Sequence, residues 1–158
     1  MSKPYQELKT YMDKAMAIKT AMTLFEWDNE TAAPKEAAER TAAVIGSLSS
    51  QYLDIMTGEK LKTALEECSG QMSEMTEVEQ AIVRETKEEV EKLERIPADE
   101  YRSFAELTAR ATGIWADARE KNDFSLFAPV LKEIVDYQKR FASYQANARG
   151  VIFDLMLD

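Results

Sequence analysis

"PYQELKTYMDKAMAIKTAMTLFEWD", residues 4–28, decides the fold class. Leu8, Tyr11, Ala15, Ile18, Met22 and Phe25 recur at alternating spacings of three and four, which sets one apolar stripe along a helix. Pro4 suits the first turn, where a missing N–H leaves no hydrogen bond unmade. Such a helix rises about 1.5 Å per residue and reaches roughly 38 Å, so several partner helices are needed to cover its stripe. A helical bundle follows.

The rest of the chain reads the same way. A second helix is expected to open at Pro34, with Ala38, Thr41, Ile45, Leu48, Tyr52 and Ile55 on one side and Gly58 as its stop. "GEKLKTALEECSG" (58–70) gives a short third helix carrying Leu61, Ala64, Leu65 and Cys68. Thr76 with Glu79 has the spacing of a capping box, so a fourth helix starts there, with Val83, Thr86, Val90 and Leu93 inward. Ile96-Pro97 breaks the pattern. The fifth helix carries Phe104, Leu107, Ala111, Ile114 and Ala118, with Trp115 beside the stripe. "KNDF" (121–124) turns the chain; Ser125 or its neighbour caps the last helix, with Pro129 in its first turn, Phe127, Leu131, Ile134, Phe141 and Tyr144 inward, and Gly150 as its end. No β-alternation, nucleotide-binding glycine loop or internal repeat interrupts this. The expected fold is all-α, an antiparallel bundle of about six helices.

Composition then narrows function. The 158 residues fit one helical domain, 1–158, and 45% hydrophobic content with only 5 Gly and 4 Pro fits a packed helical protein rather than a disordered one. The formal charge of −9 argues against nucleic acid as a partner. No run approaches roughly 18 apolar residues and the N-terminus lacks a signal-type apolar core, so no membrane partner and a cytoplasmic location are expected. The single cysteine, Cys68, allows no internal disulfide and reads as inert packing. The chain contains no histidine, which excludes a His-Glu-x-x-His zinc site, a Ser-His-Asp triad, a Cys-His dyad and a ferritin-type Glu-x-x-His centre built by this polypeptide alone.

The densest chemistry lies in "LFEWDNETAAPKEAAERTA" (24–42), where Glu26, Asp28 and Glu30 alternate. Residues two apart on a helix point about 200° apart, so the three carboxylates do not converge on one cation. The expected roles are structural: Phe25 and Trp27 pack, Asp28 or Asn29 satisfies amides at a helix junction, and an Asp28–Arg40 ion pair would pin two helices. Trp115 and Arg119, four apart, allow a guanidinium over an indole. Met12, Met16 and Met22 read as core.

Three blocks carry a resemblance. "FEWDNETAAPKEAAER" (25–40), with Trp27-Asp28, Thr31, Pro34 and Arg40, is similar to the N-terminal signature of the Taq-type metallocarboxypeptidases, the M32 peptidases. "WADAREKNDFSLFAPVLKEIV" (115–135), with Trp115, Arg119, Asn122-Asp123-Phe124 and Pro129, and then "FDLMLD" (153–158), with Asp154, follow in the family's order. Ala33 stands where the family usually has Met, and Phe153 where it has Tyr.

The resemblance implies the N-terminal helical region of a longer, groove-shaped, often homodimeric enzyme that releases C-terminal residues from peptides with zinc or cobalt. The family's His-Glu-x-x-His motif and substrate-carboxylate-binding motifs lie beyond the part matched here. No catalytic, cofactor-binding or metal-binding role is therefore carried over to any residue of this chain, and its signature residues are given structural roles. The implied contribution is a wall or cover of the peptide groove, acting through its shape or a lid. The implied partners are the missing catalytic part or a second copy, with peptides bound only in the full-length context. The alternative is a stand-alone helical interaction module whose apolar faces bind a partner.

Overall fold

The computed structural model describes residues 2–145. Six helices follow one another, α1 (Lys3–Thr31), α2 (Ala38–Met56), α3 (Glu59–Gly70), α4 (Glu77–Glu94), α5 (Ala98–Glu120) and α6 (Ala128–Gln145), and no strand occurs among the described residues. Short 3-10 turns at Lys35–Ala37, Met72–Glu74 and Phe124–Leu126 join them. No helix among these residues is long and apolar enough to cross a membrane. The expected ends at Gly150 and the block around Asp154 lie outside the described residues.

The stripe of α1 works as read over its first five turns. Tyr5, Leu8 and Ala15 are buried with Tyr52, Leu53 and Met56 of α2, Leu61, Ala64, Leu65 and Cys68 of α3, and Val83, Val90 and Leu93 of α4. Tyr11, Ile18 and Met22 pack against this core half-exposed. The fourth helix starts at the capping box: the Thr76 amide donates to Glu79 Oε2 (2.9 Å) and the Glu79 amide to Thr76 Oγ1 (3.3 Å). The Thr76 amide and then its hydroxyl, which also donates to Oε2 at 2.9 Å, hold the Glu79 carboxyl below its ordinary range. Cys68 is fully buried, and burial pushes its thiol up, consistent with inert packing.

The second half of the molecule packs differently. Where α2 meets α5 the buried side chains are Ala42, Ile45 and Ala109, with Ala105 beside them. Small residues let the two helices approach closely, and Gly46 marks the tightest point. A Cβ there would overlap Glu106 Cγ and Oε1 and lie 2.8 Å from its Cδ, so the Glu106 side chain would have to move. Helix α6 is held on α5 by aromatic contacts, Phe104 with Tyr137 (centroids 5.5 Å) and Phe141 (5.2 Å). Glu100 accepts from Tyr144 Oη at 2.8 Å and lies 3.2 Å from Arg140 Nε, an ion pair without hydrogen-bond alignment.

Four expectations change. Helix α1 continues to Thr31, so the end of "FEWDNET" is helix rather than turn. Pro34 does not open α2: at ψ 143° it is extended, it precedes a 3-10 turn, and α2 begins at Ala38. The last helix begins at Ala128 after its own 3-10 turn, so neither Ser125 nor its neighbour caps it. Phe25, Trp27, Met16 and Leu131, read as packed or inward, are exposed, because the neighbouring helices of this chain cover only the other parts of their helices.

Candidate functional site

The end of α1, the second half of α5 and the start of α6 surround an open cleft of about 440 Å³. Asn29 and Glu30 of α1, Thr108, Thr112 and Trp115 of α5, and Phe127 with Ile134 line it. A smaller recess beside it adds Glu26 and Ile45. Asn29 ties the two walls: its Nδ2 donates to the Ala109 carbonyl at 3.3 Å. The helical hydroxyls are already engaged, Thr108 Oγ1 donating to the Phe104 carbonyl at 3.1 Å.

The junction after α1 is clamped from below. The Asp28 carbonyl accepts from the amides of Ala32 and Ala33, both at 2.9 Å, and Thr31 Oγ1 donates to the Trp27 carbonyl at 2.7 Å. These bonds finish the helix with backbone partners. Lys35, one residue after Pro34, pairs with Asp117 of α5 and lies 3.6 Å from Glu120. Lys35 holds the Asp117 carboxyl below its ordinary range, chiefly through their hydrogen bond. The pin between this run and another helix is thus Lys35–Asp117. Asp28 and Arg40 are both exposed and enter no ion pair among the described residues.

The second block resolves into a helix stop. Asn122 has φ 49°, the left-handed region, its amide donates to the Arg119 carbonyl (3.1 Å), and the Asp123 amide donates to the Ala118 carbonyl (2.9 Å). That pair of bonds is a Schellman motif with Asn where Gly is commonest. The Asp123 carboxylate then accepts from the Ser125 amide (3.0 Å) and hydroxyl (2.6 Å), which holds its carboxyl low. Phe124 is left 65% exposed and Pro129 falls in the first turn of α6. Arg119 sits over the Trp115 ring, 5.3 Å from its centroid.

The signature residues therefore fall into three groups. Trp115 lines the cleft. Thr31, Pro34, Asn122, Asp123 and Pro129 shape the turns around it, and these five are exposed, as are Trp27, Asp28, Arg40, Arg119 and Phe124; Asp154 lies outside the described residues. The sequence reading missed Asn29, Glu30, Thr108 and Thr112 as lining residues. Their signal was present: Thr108, Thr112 and Trp115 have helical spacing and form a second stripe on α5.

Helix α1 brings Glu26 and Glu30 to the recess and leaves Asp28 outside it. Among the described residues no three Asp, Glu or Cys side chains are grouped to hold a metal ion. With no histidine in the chain, its donors do not fit a zinc-type catalytic centre, and no metal-assisted step is derived from them.

Comparison with known proteins agrees with the architecture. Residues 7–158 match the model of the carboxypeptidase Taq (M32) metallopeptidase family. Carboxypeptidase 1 of Bacillus subtilis is 34% identical over 138 residues, which are 87% of this chain and 27% of that protein. Thermostable carboxypeptidase 1 of Pyrococcus furiosus is 30% identical over 142 residues, 90% of this chain and 28% of that one. The crystal structure of BsuCP superposes with a TM-score of 0.94 at 29% identity, covering 99% of this chain and 31% of the other. The chain spans less than a third of the length of the relatives it matches. On its sequence and on its fold, the chain belongs to the carboxypeptidase Taq (M32) family of metallopeptidases.

Proposed function

We propose that this chain is the N-terminal helical segment of a metal-dependent carboxypeptidase, forming a wall or cover of the substrate groove and supplying no catalytic group. The observation that carries the proposal is the pairing of family membership with the donor set: the sequence matches an M32 model throughout residues 7–158, yet it holds no histidine. Zinc or cobalt would be held by residues outside this segment and would polarise the scissile carbonyl. In this reading residues 1–158 act as one antiparallel helical domain in the cytoplasm, where the lone thiol of Cys68 stays reduced. Its partner is the catalytic remainder of such an enzyme, and peptides bind only when that remainder is present.

The test is a carboxypeptidase assay with added zinc or cobalt. The chain alone should release no C-terminal residues; the chain mixed with the remaining part of an M32 enzyme should restore release. Turnover by the short chain alone would overturn the proposal. The exposed apolar residues of α1 and α6 favour one other reading, a stand-alone interaction or dimerisation module. A stable self-assembled species that ignores the catalytic part would support that instead.

A further inference from the structure

The cleft between α1, α5 and α6 changes character from one end to the other. Toward α6 its walls are apolar, with Phe127, Ile134 and, from α5, Ala111, Trp115 and Ala116 lining it. Toward α1 it shares Asn29, Glu30, Thr108 and Thr112 with a recess of about 150 Å³, to which Glu26 is added. Glu26 and Glu30 lie one turn apart on α1 and enter no ion pair among the described residues. Among those residues no Lys or Arg lines either space, and Arg119, which sits over the Trp115 ring, is not part of the wall.

The polar groups of this space are nearly all acceptors. Thr108 Oγ1 donates to the Phe104 and Ala105 carbonyls, both at 3.1 Å, and Thr112 Oγ1 to the Thr108 carbonyl at 3.5 Å. Each hydroxyl has thus spent its one proton and keeps only lone pairs. Asn29 uses an amide hydrogen on the Ala109 carbonyl, and its Oδ1 accepts from no group among the described residues. The two carboxylates accept only. Such a space matches a ligand that is donor at one end and apolar along its stem, a long cationic side chain. Guanidinium suits it better than ammonium, because a planar fork of N–H groups spans two carboxylates and an amide oxygen on one turn of α1.

We infer that this cleft is a subsite for a basic side chain of a peptide, arginine before lysine, with its stem on Trp115 and Ile134 and its charge at Glu26 and Glu30. The inference rests on the proposed function and names the substrate class. That reading assigns the metal and the scissile carbonyl to residues outside this segment, so the side chain taken here lies upstream of the residue released. The volume of about 440 Å³ falls within the roughly 300–1,000 Å³ usual for small-ligand sites. The net charge of −9 favours the approach of a cationic peptide.

The experiment has two arms. In the first, the Trp27→Phe chain, whose one remaining tryptophan is Trp115, is titrated with N-acetyl-arginine amide and its fluorescence followed. The change should saturate, and the citrulline analogue, of the same length but uncharged, should bind about tenfold more weakly. Glu26→Gln together with Glu30→Gln, at exposed positions, should cost the arginine probe about the same factor, with the circular dichroism spectrum unchanged; added salt should weaken binding as well. In the second arm the chain is complexed with the C-terminal part of Bacillus subtilis carboxypeptidase 1. A peptide with arginine upstream of the released residue should show a KM about tenfold below that of its norleucine counterpart at similar kcat, and the double substitution should erase the ratio. Equal binding of the arginine and citrulline probes overturns the inference. A complex that turns over both peptides alike also overturns it and leaves the proposed function standing. A complex that releases nothing overturns the proposed function and, with it, the peptide as the ligand.

Discussion

Gly46 to Ala is the sharpest test of the close α2–α5 packing. In a helix interior, replacing Gly by Ala stabilises by about 1 kcal/mol through backbone entropy alone. At this site the new Cβ would meet Glu106 at Cγ, one bond beyond that residue's own Cβ, so swinging the tip of the side chain does not relieve the clash. Glu106 must change its first torsion, and in a helix only two of the three staggered choices are open. It also gives up its 2.9 Å contact with Arg102, a pair that is half exposed on the Arg side and contributes only about 0.3–0.5 kcal/mol. The steric cost, about 1–3 kcal/mol for overpacking, is therefore the term that decides. Gly46→Ala alone should be neutral to about 2 kcal/mol destabilising; with Glu106→Ala beside it, the same change should stabilise by about 1 kcal/mol. Urea unfolding followed by far-UV circular dichroism reads both, provided the slope with denaturant is unchanged. A coupling energy below about 0.5 kcal/mol in the double-mutant cycle would refute the close approach.

Three further outcomes can be checked on the same protein. Asn122→Gly should hold or raise the melting temperature, whereas Asn122→Val, with a β-branched side chain at φ 49°, should cost about 1–2 kcal/mol; the reverse order would contradict the Schellman assignment. Lys35→Ala should return the depressed Asp117 carboxyl toward the ordinary aspartate range in an NMR titration. The pair's contribution is present above that range and is lost as pH falls through the lowered folded value, so the variant should be less sensitive to acid; an unmoved Asp117 would sink the clamp. Burial, then the 2.6 Å hydrogen bond to Glu89, raises the Tyr52 phenol, so the folded chain keeps a proton that the unfolded chain releases. Stability is then present below about pH 10 and falls as pH rises beyond it. Tyr5, Tyr101 and Tyr144 shift the same way, so Tyr52→Phe should lessen the alkaline decline without abolishing it, and an unchanged decline would count against the Tyr52–Glu89 contact.

Much of the fold was legible because helical spacing reports burial wherever the partner is in the same chain. Leu8 to Met22, Ile45 to Tyr52 and Val83 to Leu93 each face the core their spacing assigned. The capping box at Thr76 was legible for a different reason, since both its donors and acceptors lie within four residues. Pro34 misled because a proline is equally at home in an extended residue before a 3-10 turn, and φ near −65° serves either. The clamp by Lys35 joins residues 82 apart, and no local pattern encodes such a distance.

Phe25 and Leu131 show where spacing stops being evidence. Each continues a stripe whose other members are buried or half-buried, and each is exposed. An apolar stripe states that something covers it, but says nothing about whether the cover belongs to the same polypeptide. The alternating acids fail as a metal site for the opposite reason: the helix does run through Thr31, and that same regularity turns Asp28 away from Glu26 and Glu30. What remains of the run 24–42 is an amphipathic end that outlasts its own bundle. Its tryptophan is solvent-facing, its carboxylates have no cation among the described ion pairs, and a lysine clamp at Lys35 holds the whole junction against α5.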